Sequence, residues 1–193
     1  MSGEPAGGIH RLFNHPGVRG FLRKIRVPLA VAAAVLLLYK ADPAWFVPAL
    51  CVSLAGELVQ LWCFGTLHKK AELAADGPYA VVRNPMYLGR FFLILGVLML
   101  LGAPWILPVF TVIYYFYMAN RVRREEATLR EVFGKEYEAY CAEVPRFLPT
   151  VRPFRGNPVL TFRSDLFLRN HGHWNLLSVA VFYAIAWAAI RWR

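Results

Sequence analysis

The chain has few acidic residues, few cysteines and few charges of either sign. Asp and Glu total 12 against 22 Lys and Arg, and charged residues fill only 18% of 193 positions, where a soluble domain carries about 25%. So little charge excludes a disordered chain. The three cysteines, Cys51, Cys63 and Cys141, form an odd and scattered set with no metal-ligand spacing. That excludes a disulfide framework and reads as free thiols in a reducing compartment. No internal repeat is visible. No motif that reads RNA or DNA accompanies the formal net charge of +10, so no nucleic-acid partner is expected.

Apolar residues are abundant instead, at 58% of the chain and a mean hydropathy of +0.40. They come in five runs. Val27–Tyr39 has 13 residues and follows Arg11, Arg19, Arg23, Lys24 and Arg26. It reads as an uncleaved first span, lengthened by Phe21 and Leu22 while the basic side chains snorkel. Ala44–Thr66 has 23 residues, enough to span, and carries Glu57 and Gln60 on one helical face. Tyr87–Leu101 and Trp105–Ala119 have 15 residues each, separated by Gly102-Ala103-Pro104, which predicts a helical hairpin. Trp174–Ile190 has 17 residues and is read as a last span, with a helix lying on the membrane surface as its alternative.

Basic residues set the expected topology. Most Lys and Arg lie before the first run, in 67–86 and in 120–173, while the turns at 40–43 and 102–104 carry only Lys40. The positive-inside rule places the N-terminal segment and both large polar segments in the cytoplasm. The expectation is an all-α, polytopic membrane protein with about five transmembrane helices. Residues 1–193 form a single domain in this reading, with a core at about 50–150 and an extension at 151–193 that ends in the last apolar helix.

The polar segments contain the candidate chemistry. Gly77-Pro78-Tyr79 is a turn, and Asn84 and Pro85 suit the cap and first position of the helix carrying the third run. The fourth run is expected to continue as one helix through Asn120–Phe133 and to stop at Gly134. A further helix, Lys135–Glu143, would put Tyr137, Tyr140 and Val144 on one face.

Two patterns stand in order: Gly77-Pro78-Tyr79-x-x-x-Arg83-Asn84-Pro85-x-Tyr87-x-Gly89, and Arg121-x-x-x-Glu125-Glu126-x-x-Leu129-x-x-x-Phe133-Gly134-x-x-Tyr137-x-x-Tyr140, running on to Val144-Pro145-Arg146-Phe147. Together, over roughly 50–150, the chain resembles the isoprenylcysteine carboxyl methyltransferase and phospholipid methyltransferase superfamily. The resemblance implies an integral-membrane enzyme that uses S-adenosyl-L-methionine at a cytoplasmic helical segment and methylates a lipophilic acceptor arriving from the bilayer. By position it puts cofactor contacts on Ala71, Glu72, Leu73 and Ala74, on Gly77 and Tyr79, on Asn84, Pro85, Met86 and Tyr87, and on Glu125. It puts the acceptor-binding arginine on Arg121, with Arg83 and Glu125 beside it as the other catalytic candidates. Three positions depart from the family: Asn84 stands for its usual histidine, and Phe64 and Ala71 stand for a glutamine and a histidine of the prenylcysteine enzymes. Asn84 exchanges hydrogen bonds but takes no proton near neutral pH.

The residue types suit that chemistry. A methyl sulfonium loses its charge during transfer, so the protein has mainly to align the reactants and exclude water. Tyr79 and Tyr87 can offer ring faces to the sulfonium, Glu125 can hold the donor's ammonium or ribose, and Arg121 a carboxylate or phosphate. A carboxylate acceptor needs no base, whereas an amine or thiol needs one, with Glu125 or Glu126 nearest. Each residue also has a plainer role. Arg121 and Glu125 make an i,i+4 surface pair worth about 0.3–0.5 kcal/mol, Arg83 a headgroup anchor, and Tyr79 and Tyr87 belt aromatics. Glu57 is either a functional or a structural intramembrane acid. His171 and His173 lack a third ligand and read as loop residues, so no metal is expected.

The soluble methyltransferase fold is set aside, because no Gly-x-Gly-x-x-Gly and no strand–helix alternation is present. A nicotinamide-dependent membrane reductase of the sterol-reductase type and a non-catalytic scaffold of the same fold are the competing functions. The acceptor classes are a carboxylate, an amine headgroup, or a small thiol or phenol. Membrane lipids are the expected surroundings, in a bacterial inner membrane to judge by the Ala/Arg/Leu-rich composition. Oligomeric state stays open.

Overall fold

The structure, a computed structural model, describes residues 16–68 and 72–193, and of residues 16–26 the backbone alone. The expected contact at Ala71 and the basic side chains before Val27 therefore lie outside the described residues. Every regular element among the described residues is helical. The chain divides after Lys40 into two compact units. In the first, α1 (Pro16–Lys40) contains the first apolar run and ends on Lys40, a cation placed well for the helix dipole.

The second unit holds α2 (Phe46–Phe64), α3 (Pro85–Met99), α4 (Ile106–Phe133), α5 (Lys135–Glu143), α6 (Ser164–Arg169) and α7 (Gly172–Arg191). A 3-10 turn, Pro43–Trp45, leads into α2, with Asp42 Oδ1 accepting from the Ala44 amide at 2.9 Å. The fourth apolar run and Asn120–Phe133 form one helix, as expected. Gly134 ends it at φ +52, a conformation in which glycine has no Cβ penalty.

Small residues let α2 and α3 approach closely. A Cβ on Gly56 would run into the Gly89 carbonyl oxygen, and one on Gly96 into Ser53 and Ala49. Such contacts drive helix pairing where no hydrophobic force operates between helices. Ser53 Oγ donates to Leu93 O at 2.9 Å and lies 2.6 Å from Tyr183 Oη of α7. One turn on, Asn175 Nδ2 of α7 donates to the buried Glu57 carboxylate at 2.6 Å. The polar face of α2 is thus the seam that joins three helices.

The turns at 40–43 and 102–104, which charge placed on one side, meet at one end: the Asp42 amide donates to Leu100 O at 2.7 Å. At the other end the two large polar segments close on each other. Backbone amides of Arg83, Thr150, Gly77 and Arg163 donate to Pro145, Val81, Pro158 and Gly65 at 2.8–2.9 Å. Asn170 Nδ2 adds bonds to the carbonyls of Phe64 and Leu67, both 2.9 Å. Residues 145–170 are therefore laced along 62–83. Beneath them Tyr137, Tyr140 and Val144 pack with Ala75 and Phe154 into one cluster, which confirms the face predicted for α5.

Among the described residues, two stretches are long and apolar enough to cross a membrane, Pro43–Phe64 and Gly172–Arg191; Val27–Lys40 and Pro85–Met99 are apolar but shorter. At 1.5 Å per residue, α3 rises only about 22 Å against a hydrocarbon core of about 30 Å. Of the five expected spans, then, two have full length by themselves. Exposed Leu58 on α2, Val112, Ile113 and Phe116 on α4, and Ile185 and Trp187 on α7 give these helices an apolar outer surface, the kind that marks contact with lipid or protein.

Candidate functional site

The site builds outward from the Gly77–Ala80 turn. Gly77 sits at φ +59 against the Thr66 side chain, leaving no room for a Cβ. The turn thereby carries Tyr79 inward. The Tyr79 carbonyl accepts a 2.6 Å hydrogen bond from Tyr140 Oη, and its hydroxyl lies against the Cys63 thiol. Burial, then the neighbouring Cys63, pushes the Tyr79 hydroxyl far above its ordinary range. The ring is only 9% exposed, so Tyr79 supports the site from inside the packing.

Asn84 precedes α3 and Pro85 takes its first position, as predicted. The side chain of Asn84 makes no capping bond, however. The Arg83 amide is pinned to Pro145 O at 2.9 Å, and Asn84 Nδ2 donates to the next carbonyl, Arg146 O, at 3.4 Å. The capping bond is thus replaced by one that ties the start of α3 to 145–146. Met86 is half-buried in the first turn.

Tyr87 links the two sequence patterns. Its hydroxyl donates to Glu125 Oε1 at 2.7 Å, and its carbonyl accepts from Tyr114 Oη at 2.8 Å. Arg121 Nε donates to the same Glu125 oxygen at 2.8 Å. Both partners of that ion pair are half-exposed, and the other carboxylate oxygen has no hydrogen bond among the described residues. Arg121, Arg124, Glu125, Thr128 and Leu129 line an open groove of about 440 Å³ along α4.

Glu126 faces the other way. It is 1% exposed and accepts a fork from Arg146, with Nε to Oε1 at 3.0 Å and Nη2 to Oε2 at 2.7 Å. Arg83 Nη1 stands 3.7 Å away and Arg130 Nη2 3.8 Å. The Glu126 bond, the largest influence, raises the Arg146 pKa. Arg130 also lies over the Tyr137 ring, 5.7 Å from its centre.

Among the predicted residues, the fold gathers Arg83, Asn84, Pro85, Tyr87, Arg121 and Glu125, with Gly77 and Tyr79 attached through Tyr140. Glu72 is exposed, and Leu73 packs on the Tyr137–Tyr140 cluster. Sequence reasoning missed Glu126, Arg130 and Arg146 as a unit. The i,i+4 spacing of Glu126 and Arg130 was a visible signal. The partners 20 and 43 positions away left none. His173 lies in the first turn of α7 rather than in a loop.

Residues 56–136 match the phospholipid methyltransferase family, the stretch that holds the second half of α2, α3, α4 and the Arg121–Glu125 pair. This segment belongs to the isoprenylcysteine and phospholipid methyltransferase superfamily. The matched segment is 39% identical over 79 residues to protein-S-isoprenylcysteine O-methyltransferase of Schizosaccharomyces pombe, covering 41% of this chain and 34% of that protein. It is 31% identical over 86 residues to the Xenopus laevis enzyme of that name, covering 45% and 30%. The matched part thus spans about a third of either relative's length. The cobalt-zinc-cadmium resistance protein CzcN of Cupriavidus metallidurans is similar over a longer stretch, 28% identical over 137 residues, 67% of this chain and 62% of that protein. No solved structure matches the chain.

Proposed function

We propose that the chain is an integral-membrane methyltransferase that moves the methyl group of S-adenosyl-L-methionine to a lipophilic acceptor at the cytoplasmic face. The Tyr87–Glu125 hydrogen bond carries the reading. It joins two motifs 38 positions apart into one constellation within the segment of superfamily membership. The concentration of Lys and Arg in the 67–86 and 120–173 segments supports the cytoplasmic orientation.

The donor bears an ammonium, a carboxylate, two ribose hydroxyls and a sulfonium, and the residues present fit such a group. Glu125 has one oxygen held by Tyr87 and Arg121 and the other open to the groove, where an ammonium or a ribose hydroxyl can meet it. Arginine forks suit a carboxylate. When bound, the donor supplies an electrophilic methyl whose departure discharges the sulfonium. Tyr87 and Arg121 hold one Glu125 oxygen in place from two sides. A carboxylate acceptor needs only alignment. An amine or thiol acceptor must give up a proton, and Glu125 is the group open to receive it, because both oxygens of Glu126 are taken by the Arg146 fork.

Calorimetric titration of the detergent-purified protein with S-adenosylhomocysteine, with NADPH alongside, tests the reading. Binding of the homocysteine compound alone is the expected result, followed by transfer of labelled methyl to membrane lipids or small lipophilic acceptors. NADPH binding alone would move the protein to the reductases. Absence of both, on folded protein, would leave a scaffold.

A further inference from the structure

The arginines around Glu126 outnumber what a single carboxylate needs. Arg146 occupies both carboxylate oxygens, so Arg83 and Arg130 stand at 3.7 and 3.8 Å, beyond hydrogen-bond reach. Three guanidiniums face one buried acid, a local excess of two positive charges. Arg83 Nε is buried and has no hydrogen-bond partner, an arrangement that costs free energy unless something supplies an acceptor. The cluster is not sealed. The side chains of Arg130 and Arg146 are 45% and 36% exposed, so a ligand can reach them from solvent. Its floor is fixed: Tyr137 lies beneath Arg130, Pro145 O holds the Arg83 amide, and Asn84 holds Arg146 O.

The cluster also differs from Arg121, to which the family resemblance assigned the acceptor's anionic group. Arg121 Nε is already committed to Glu125 at 2.8 Å. Forked donors in a partly desolvated setting bind oxyanions far better.

We propose that Arg83, Arg130 and Arg146, gathered on the buried Glu126 carboxylate, form a subsite for the carboxylate or phosphate of a ligand. Its placement as part of a methyl-transfer site rests on the function proposed above; its anion chemistry does not. Glu126 orients the cluster, Arg146 anchors it, and Arg83 and Arg130 supply the free donors. The anion comes either from the amino-acid part of the methyl donor or from the acceptor.

The test titrates S-adenosylhomocysteine, 5′-methylthioadenosine and inorganic phosphate into the full-length protein in detergent. Wild type, Arg130→Gln, Arg130→Lys and Arg83→Gln are compared, with thermal unfolding as the second readout. Arg130→Gln leaves the Glu126–Arg146 fork intact, so the fold is retained. If the donor's carboxylate is the ligand, Arg130→Gln weakens S-adenosylhomocysteine about tenfold or more. Methylthioadenosine, which lacks that carboxylate, is unaffected. If the acceptor supplies the anion, S-adenosylhomocysteine binds equally, but phosphate protection seen in wild type disappears in Arg130→Gln and returns partly in Arg130→Lys. Phosphate protection that depends on Arg130, with no nucleoside binding to any form, would uphold the subsite and sink the methyltransferase reading. Equal binding of the homocysteine compound and of phosphate by wild type, Arg130→Gln and Arg83→Gln would overturn the subsite.

Discussion

Glu125 and Glu126 occupy consecutive positions of α4, yet their carboxylates live in different media. Glu125 is 42% exposed and meets a helix neighbour four residues back. Glu126 is 2% exposed in its side chain and meets Arg83 and Arg146, which lie in other segments. One residue turns a helix by about 100°, and here that rotation separates solvent from interior. In water an ion pair of this kind gains little, because screening and side-chain entropy offset the attraction. In the interior a carboxylate is tolerable only if it is paired and fully hydrogen-bonded. The outer acid is therefore free to serve a ligand, and the inner acid is bound to serve the fold.

The largest test of this contrast is Glu126→Ala. Removing one partner of a buried pair strands the other charge, so the variant should lose about 3–5 kcal/mol of stability, read as a lower midpoint in thermal or denaturant unfolding. A loss below 1 kcal/mol would mean that the two acids are energetically alike.

Glu125→Gln should do the reverse. Unfolding should move little, whereas the Kd for S-adenosylhomocysteine should rise about tenfold or more, as expected when a charge-assisted hydrogen bond becomes a neutral one. Unchanged affinity would remove Glu125 from the site.

Alkaline pH probes the inner region through its tyrosines. Burial raises the pKa of Tyr137 and Tyr140 above the ordinary 10.0, and the Glu126 charge adds to the effect at Tyr137. Both hydroxyls are neutral in the folded protein. Their contribution is complete below pH 10, where folded and unfolded chains bear the same proton, and is lost as pH rises through the folded-state values. Unfolding midpoints should fall as pH rises above 10, and Tyr137→Phe should flatten that fall. A pH-independent midpoint would contradict the burial of these hydroxyls.

Arg121→Ala should have the smallest effect on the fold, because water screens an exposed ion pair. Its consequence should appear in acceptor turnover. An equal loss of donor affinity would mean that the Arg121–Glu125 pair acts as one unit.

Local features were the legible ones. Gly134 as a helix stop, α5 at Lys135–Glu143 with Tyr137, Tyr140 and Val144 inward, and the continuous α4 follow from spacing and glycine, because helices are specified by neighbours three and four residues away. The Arg121–Glu125 pair was legible for the same reason. Asn84 was placed at its cap position, but its hydrogen bond went to Arg146 O, 62 positions distant and invisible to any local rule. The residues at 145–170 read as polar connection and extension. The backbone bonds that lace them along 62–83 have no signature in side-chain pattern, since any residue but proline can donate them.

By itself, the amino-acid sequence determined that this protein is helical, apolar in runs, basic at the ends of those runs, and built on the two motifs that carry its resemblance to the methyltransferases. Each of these is a property of composition or of short-range order. Only the tertiary structure decided which of two adjacent acids faces the groove and which three arginines share a buried carboxylate. Those outcomes depend on where distant segments come to rest. The cost of burying a charge is set by the partners that arrive there, and a linear sequence does not contain their positions.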